Sequence, residues 1–359
     1  MQKLKTLLPG VILATLIYFV ADFASSFIGQ DLLSYAKSPI SVVLFAVLIG
    51  IFISNFIEIP RMFEDGINFS VRYVLRFGII LLGIRISLSD VLEYGSISIP
   101  LVVLCIATVI IAVRLLRKVL NVSTKMSYLI AIGTSICGAS AIVAMAPVIN
   151  AKKGEITYAI ANITVFGILG MFLYPYIAHE AFSGNQSAIG LFLGTAIHET
   201  AQVAASGLIY EQQYSSSKVL EVATITKLVR NTFLLAMIPL FAYIYARERD
   251  VKDYSLRSVF PLFVLGFVFM VIVRTAGDHL VTENILLITE SLWADIIQVV
   301  KVGSGVCLSI AMAALGLSTK ANELRAMGLK PFAAGLIAAF IVGVVSFITI
   351  HLFTAFSLI

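Results

Sequence analysis

The 359-residue chain is short of charge, thiol and imidazole. Asp, Glu, Lys and Arg together make up 13% of it, against about 25% in an ordinary soluble domain, so water is not its main solvent. The three cysteines, Cys105, Cys137 and Cys307, all lie in apolar runs. Their spacing fits neither a zinc site nor a disulfide framework, and free buried thiols are expected. There are four histidines, His179, His198, His279 and His351. The one run that approaches the HExxH zinc signature, His198-Glu199, has Gln202 where the second histidine should stand, which removes a zinc protease. No metal or cofactor is expected. Cys137 and His198 could be imagined as a nucleophile and base, but nothing around them supports that pairing, and an enzyme is not expected. The formal net charge is +5, with Lys and Arg scattered through short loops rather than gathered on one face, which excludes a nucleic-acid surface.

What the chain has in abundance is apolar sequence. Hydrophobic residues make up 60% of it and the mean hydropathy is +1.01. Apolar blocks at about 7–24, 39–56, 69–86, 96–116, 127–149, 155–178, 187–208, 218–246, 256–275, 299–318 and 331–357 predict eleven membrane-spanning helices in an all-α polytopic protein. Met1 to Phe27 has the basic tip, apolar core and small residues of a signal peptide, but reads better as an uncleaved first helix. The stretch 283–300, with Glu290, Trp293 and Asp295, suits an interfacial helix better than a twelfth crossing.

Orientation follows from the bias of Lys and Arg toward cytoplasmic loops. With the N-terminus inside, fourteen such residues fall on the cytoplasmic side: Lys3, Lys5, Arg61, Arg114, Arg117, Lys118, Lys125, Arg247, Arg249, Lys252, Arg257, Lys320, Arg325 and Lys330. Five fall opposite: Lys37, Lys152, Lys153, Lys218 and Arg274. The expected placement is a bacterial inner (plasma) membrane, N-terminus cytoplasmic and C-terminus extracytoplasmic.

Weak internal matches rise in chain order. IGIFISN at 49–55 resembles LGTAIHE at 193–199, YVLRFGIILL at 73–82 resembles KLVRNTFLLA at 227–236, and SICGAS at 135–140 resembles GVCLSI at 305–310. They pair span 2 with 7, 3 with 8 and 5 with 10, as in two inverted five-helix repeats around a midplane site. The chain 1–359 then reads as one transmembrane domain: a leading helix at 1–38, repeat 1 at 39–180 and repeat 2 at 187–359. Two rival matches, ALGLS at 314–318 with LLGIR at 81–85 and the GTxI run at Gly133 and again at Gly194, do not fit that pairing.

Polar residues inside the spans mark the candidate site. In span 5, GTSICGAS at 133–140 interrupts an apolar helix with two glycines and three hydroxyl residues. Glycine weakens a helix by about 1 kcal/mol each, and freed backbone groups in lipid need protein or water partners, so a broken helix is expected. Its half-helix N-terminus, with Thr134, Ser135, Cys137, Gly138 and Ser140, would face an anion. Span 10 carries a fainter copy at Gly303–Ala311, including Ser304, and a second break is expected there. Small residues packing helices together is the plainer alternative for both.

Span 3 carries Arg72, Arg76 and Arg85, and span 8 carries Lys227, Arg230 and Asn231. A cation at membrane depth costs roughly 2.5–3.5 kcal/mol on the insertion scale, so these must face protein or a wet cavity. Arg76 and Arg230, set opposite each other by the repeat match, would clamp an oxyanion with fork-shaped donors. Arg230→Ala would then lose uptake and stay folded. Arg85, near a helix end, would snorkel. In span 7, Thr195, His198, Glu199 and Gln202 fall on one stripe of a single helix. His198 beside Glu199 is raw material for proton coupling, with Gln202 and Lys227 as companions. The alternative is that His198 and Glu199 only neutralise the arginines. Asn55, Asn162 and Glu221 are second-tier candidates.

LRFGIILLGIR at 75–85, GTSICGASAIVA at 133–144, GTAIHETAQVAASG at 194–207 and KLVRN at 227–231 together resemble the YeiH-type sulfate exporter family over nearly the whole chain. That family is similar in hydropathy and repeat plan to sodium/proton antiporters and bile-acid transporters. The resemblance implies a plasma-membrane carrier with a core and a panel domain, spans 5 and 10 being the crossed, unwound pair. The expected function is secondary active transport of a small anion, such as sulfate, sulfite or a sulfonate, by alternating access, coupled to protons or sodium. A cation/proton antiporter using Glu199 is the alternative, though span 5 has no Asp to pair with it. Expected partners are the anion, the coupling ion, the lipid bilayer and, as an assembly the reading admits, a second copy in a homodimer.

Overall fold

The computed structural model describes residues 2–28, 42–249, 263–283, 289–319, 329–356 and 359. Lys37, Lys252, Arg257, Lys320 and Arg325, and the outer ends of the blocks at 39–56, 256–275 and 331–357, lie outside these. Among the described residues the regular structure is helical throughout, and each of the eleven apolar blocks contains helix, those at 127–149 and 187–208 being interrupted. The helices run α1 (Gln2–Ser26), α2 (Val42–Phe56), α3 (Glu64–Phe69), α4 (Leu75–Leu82), α5 (Leu88–Leu120), α6 (Thr124–Ser135), α7 (Ala139–Met145) and α8 (Lys153–Ala181). They continue through α9 (Gln186–Ala196), α10 (Thr200–Tyr214), α11 (Ser217–Thr232), α12 (Leu234–Arg249), α13 (Phe263–Thr282), α14 (Glu290–Leu317) and α15 (Leu329–Ala355).

Among the described residues seven helices are long and apolar enough to cross a membrane singly, or eight if α11 and α12, bent by 42°, form one span. The blocks at 127–149 and 187–208 do not qualify as single helices because each is divided: α6 from α7, and α9 from α10. Large apolar side chains such as Phe23, Phe52, Val119, Leu173 and Phe340 stand exposed on the outer faces. That is the pattern of a protein whose solvent is hydrocarbon.

The chain forms two compact units, each assembled from discontinuous pieces. The first contains α1 to α4, α13 and α14. Here α14 packs on α2 and α4. A Cβ on Gly50 would meet Ala313 O at 2.5 Å, so α2 and α14 touch backbone to backbone, an approach that small residues permit. Two expectations are corrected in this unit. α14 runs unbroken from Glu290 to Leu317, so span 10 has no break at Gly303–Ala311. Its first turns also take in residues 290–300 of the 283–300 stretch, which continue into α14 rather than forming a separate interfacial helix or a twelfth crossing; residues 284–288 lie outside the described residues. Gly305 has nothing within 4 Å of a would-be Cβ, and a glycine without a close neighbour or a turn to make leaves a helix intact when packing holds the rest.

The second unit contains most of α5, α6 to α9, the start of α10, and α11, α12 and α15. α9 lies on α11 through Gly194, where a Cβ would meet Thr226 Cβ at 2.6 Å and Ala223 O at 2.7 Å. Ser98 on α5 shares a hydrogen bond of 2.9 Å with Thr226. These contacts hold α11 against the C-terminal end of α9, one residue before Lys227.

Candidate functional site

Both helix breaks fall at the same short run. In Gly133-Thr134-Ser135-Ile136, α6 ends at Ser135 and Ile136 leaves the helix with φ −126° and ψ −93°. In Gly194-Thr195-Ala196-Ile197, α9 ends at Ala196 and Ile197 is extended, with φ −85° and ψ 140°. The GTxI match that stood outside the repeat pairing therefore marks the two breaks. The second break is in span 7, where none was expected.

A helix end leaves its last carbonyls without intrahelical partners, and in lipid those oxygens need donors. Two side chains from α11 supply them. Lys227 Nζ donates to Ile136 O at 2.8 Å, to Ile197 O at 3.0 Å and to His198 O. Arg230 Nε donates to Ser135 O at 2.7 Å, Nη1 to Thr195 O at 2.5 Å and to Ile197 O at 3.4 Å, and Nη2 to Thr134 O. Both residues are 0% exposed. The three-residue spacing that puts them on one face of α11 is what lets one helix reach both ends. Equivalent carbonyls are used on the two sides: Thr134 and Thr195 by Arg230, Ile136 and Ile197 by Lys227. The negative ends of α6 and α9 thus meet two positive charges, a favourable arrangement. Among the described residues no carboxylate lies within ion-pair distance of either cation.

The far sides of the breaks are capped differently. Gly138 opens α7 with φ 71° and ψ −127°, a conformation open to glycine and strained for other residues. A Cβ there would also overlap Glu199 Cγ. The half-buried Glu199 accepts the Ala139 N–H at 3.3 Å, so the carboxylate in the second break caps the helix that follows the first. At the start of α10, Gln202 accepts the Glu199 N–H at 3.3 Å and donates to Thr164 O at 3.1 Å. That is the back-reaching half of a capping box.

The single-helix stripe expected in span 7 is accordingly divided. Thr195 sits in the last turn of α9, bonded to Ser346 at 2.6 Å. His198 and Glu199 lie in the break, and Gln202 lies in the next helix. His198 is 2% exposed, and among the described residues neither ring nitrogen has a hydrogen-bond partner. The hydroxyls of Thr134 and Ser135 and the Oδ1 of Asn231 are also buried without partners among the described residues, although Asn231 Nδ2 donates to Thr200 Oγ1 at 3.1 Å. Buried polar groups of this kind are rare in folded proteins and ask for water or a ligand. Cys137 is buried in the first break, and Ser140 is exposed.

Two of the predicted site residues stand in the first unit. Arg76 is exposed, its guanidinium carbon 5.9 Å from the Phe263 ring centroid. Ser304 is buried and donates to Gly78 O at 2.9 Å, joining α14 to α4. Arg85 does not snorkel. Its Nη1 lies 2.8 Å from each carboxylate oxygen of Glu211, and its side chain is 7% exposed. The alternative role for His198 and Glu199, neutralising the arginines, is likewise not what the contacts show, since Arg230 is satisfied by carbonyls. Asn162, a second-tier candidate, ties α8 to Pro331 O at 3.0 Å.

A family model described as "conserved hypothetical protein 698" matches residues 9–335. The chain belongs to this family. It is 34% identical over 310 residues to a UPF0324 membrane protein of Fusobacterium nucleatum, covering 84% of this chain and 88% of that one. It is 30% identical over 363 residues to a UPF0324 membrane protein of Clostridium tetani, covering 97% and 98%. A UPF0324 membrane protein of Streptococcus agalactiae is 32% identical over 334 residues, covering 92% of this chain and 93% of that one. These names describe membrane proteins and assign no substrate. The matched region of this UPF0324 family member holds both breaks, Lys227 and Arg230. With its apolar helices, it is a multi-pass membrane protein.

Proposed function

We propose that the protein is a secondary transporter of a small anion, such as sulfate, sulfite or a sulfonate, working by alternating access in a bacterial inner membrane with its N-terminus cytoplasmic and its C-terminus outside. The observation that carries this reading is the meeting of two broken helices on two buried cations, beside polar groups that lack protein partners. Each half-helix end carries about half an elementary charge, negative at the C-terminus and positive at the N-terminus. Lys227 and Arg230 add two positive charges, the ends of α6 and α9 remove about one, the starts of α7 and α10 restore about one, and an ionised Glu199 removes one. The balance is about one positive charge, which favours an anion over a cation.

The anion's direct ligands are not the guanidinium, whose nitrogens are engaged by carbonyls. They are the unpartnered hydroxyls of Thr134 and Ser135 and the ring of His198. Arg230 and Lys227 supply field and hold the breaks open, and Arg76, exposed over Phe263, carries no part of this reading. The competing idea, a cation/proton antiporter, would want clustered carboxylates. Among the described residues no three His, Cys, Asp or Glu side chains gather as they would to hold a metal ion.

Titration of the purified protein with sulfate, sulfite, a small sulfonate and a small carboxylate against chloride should give a saturable rise in melting temperature for at least one oxyanion. The double variant Thr134→Val, Ser135→Ala leaves the carbonyls in place and should weaken that binding at least tenfold, with a matching fall in flux into proteoliposomes. Equal affinity in the double variant, or no anion response in the natural protein, would end this assignment.

A further inference from the structure

The contacts of Lys227 have the form of a metal-ion coordination shell. Its Nζ meets three backbone oxygens, Ile136 O at 2.8 Å, Ile197 O at 3.0 Å and His198 O, contributed by two different helix breaks. No side-chain oxygen takes part, the residue is 0% exposed, and the oxygens belong to the C-terminal ends of α6 and α9 and the turn after α9. Half-helix C-terminal ends and unwound carbonyls are the groups with which broken-helix transporters bind an alkali-metal ion. Here the positive charge arrives on a side chain. We infer that Ile136 O, Ile197 O and His198 O form a monovalent-cation site occupied by the Lys227 ammonium as a tethered resident cation, so that shortening Lys227 opens the site to sodium.

Charge and size both allow the exchange. Replacing the ammonium by a sodium ion leaves the charge beside Arg230 unchanged, so the metal is repelled no more than the amine is. Calcium, close to sodium in radius, takes oxygens at about 2.3–2.6 Å, so the contacts at 2.8 and 3.0 Å need an inward shift of only about 0.2–0.7 Å. Without any cation, three carbonyls pointing at one another in a dry interior are left unpaired, which is unfavourable. On the transport reading above, and resting on it, the consequence is that sodium is not required at these breaks. The site itself does not depend on that reading.

The test uses the full-length protein in detergent, melted in sodium chloride and in choline chloride at equal ionic strength. The natural protein should melt alike in both. Lys227→Ala should melt lower than the natural protein in choline and recover in sodium, saturably and by on the order of a few degrees. Should Lys227→Ala not be recovered from membranes in choline, purification in sodium tests the same point. Lys227→Ser, whose hydroxyl adds a ligand, provides a second variant with the same expected sodium dependence. The inference is overturned if the natural protein is itself stabilised by sodium over choline, if both variants respond equally to the two salts, or if neither variant can be recovered in sodium. Failure of the anion reading shows instead in the oxyanion titration of the natural protein, which these outcomes leave untouched.

Discussion

The two units solve the same problem, a cation buried in an apolar protein, with different partners. In the first, Arg85 is met by the carboxylate of Glu211 at 2.8 Å, one side chain answering another. In the second, Lys227 and Arg230 are met, among the described residues, only by backbone oxygens at the ends of two half-helices. A side-chain pair can be deleted as a pair. Carbonyls cannot be deleted, so the cations of the second unit are bound up with the breaks themselves. The breaks exist where cations can satisfy them, and the cations are tolerated because the breaks are there.

The sharpest way to break that contrast is Arg230→Ala. It removes the donors to Thr134 O, Ser135 O and Thr195 O at once, and each orphaned group costs about 1–3 kcal/mol. The expected result is a loss of about 3–5 kcal/mol or more, seen as failure to elute as a single species in detergent or as a large fall in melting temperature. This replaces the expectation, from sequence, that the variant would stay folded. Arg230→Lys should recover only part of the loss, because one nitrogen cannot reproduce a planar fork. A normally folded Arg230→Ala would show that the carbonyls find other donors, and the contrast between the units would collapse.

The next effect belongs to the first unit. Glu211→Gln leaves the Arg85 charge with neutral partners, and losing one member of a buried pair costs about 3 kcal/mol. Replacing both members by apolar residues, Arg85→Met with Glu211→Leu, should return the melting temperature close to that of the natural protein, since a buried pair is often no better than a packed apolar one. A double variant no more stable than Glu211→Gln would mean that Arg85 also holds something besides Glu211, such as the Lys301 carbonyl 3.4 Å away.

How far the site was readable from sequence depends on the kind of signal. The break in span 5 was legible because two glycines and three hydroxyls interrupt an apolar run, and Gly138 indeed takes a backbone conformation that suits glycine. The break in span 7 was not, since His198, Glu199 and Gln202 also fit one face of an intact helix. Two signals could have found it: the repeated GTxI run, and Gln202 three residues after Glu199 as a cap on a new helix start. Span 10 misled in the opposite direction. Its glycines resemble those of span 5, yet α14 passes through them unbroken, and among the described residues neither Gly303 nor Gly305 takes the positive φ that Gly138 does. Lys227 and Arg230 were recognised as inward-facing from their cost in lipid, but their partners were assigned to a substrate or a carboxylate. Backbone oxygens leave no mark in a sequence, so the true acceptors could only come from the fold.

Ser304 offers the smallest and most discriminating measurement. From sequence it stands beside Ser135 as a substrate hydroxyl in a matching break; in the fold its hydroxyl is already used, donating to Gly78 O at 2.9 Å. The contact is close because α4 and α14 meet at a glycine, where a Cβ on Gly78 would lie 3.1 Å from Cys307 Cβ. Interhelical hydrogen bonds in membranes average about 0.6 kcal/mol, so Ser304→Ala should lower the melting temperature by only about 1–2 °C. Oxyanion affinity should stay within twofold of the natural protein. The Thr134 and Ser135 hydroxyls, which have no such partner, should show the reverse pattern, little change in stability and a large change in affinity. A tenfold loss of oxyanion affinity in Ser304→Ala would move the anion's ligands into the first unit and undo the division of labour argued between the two.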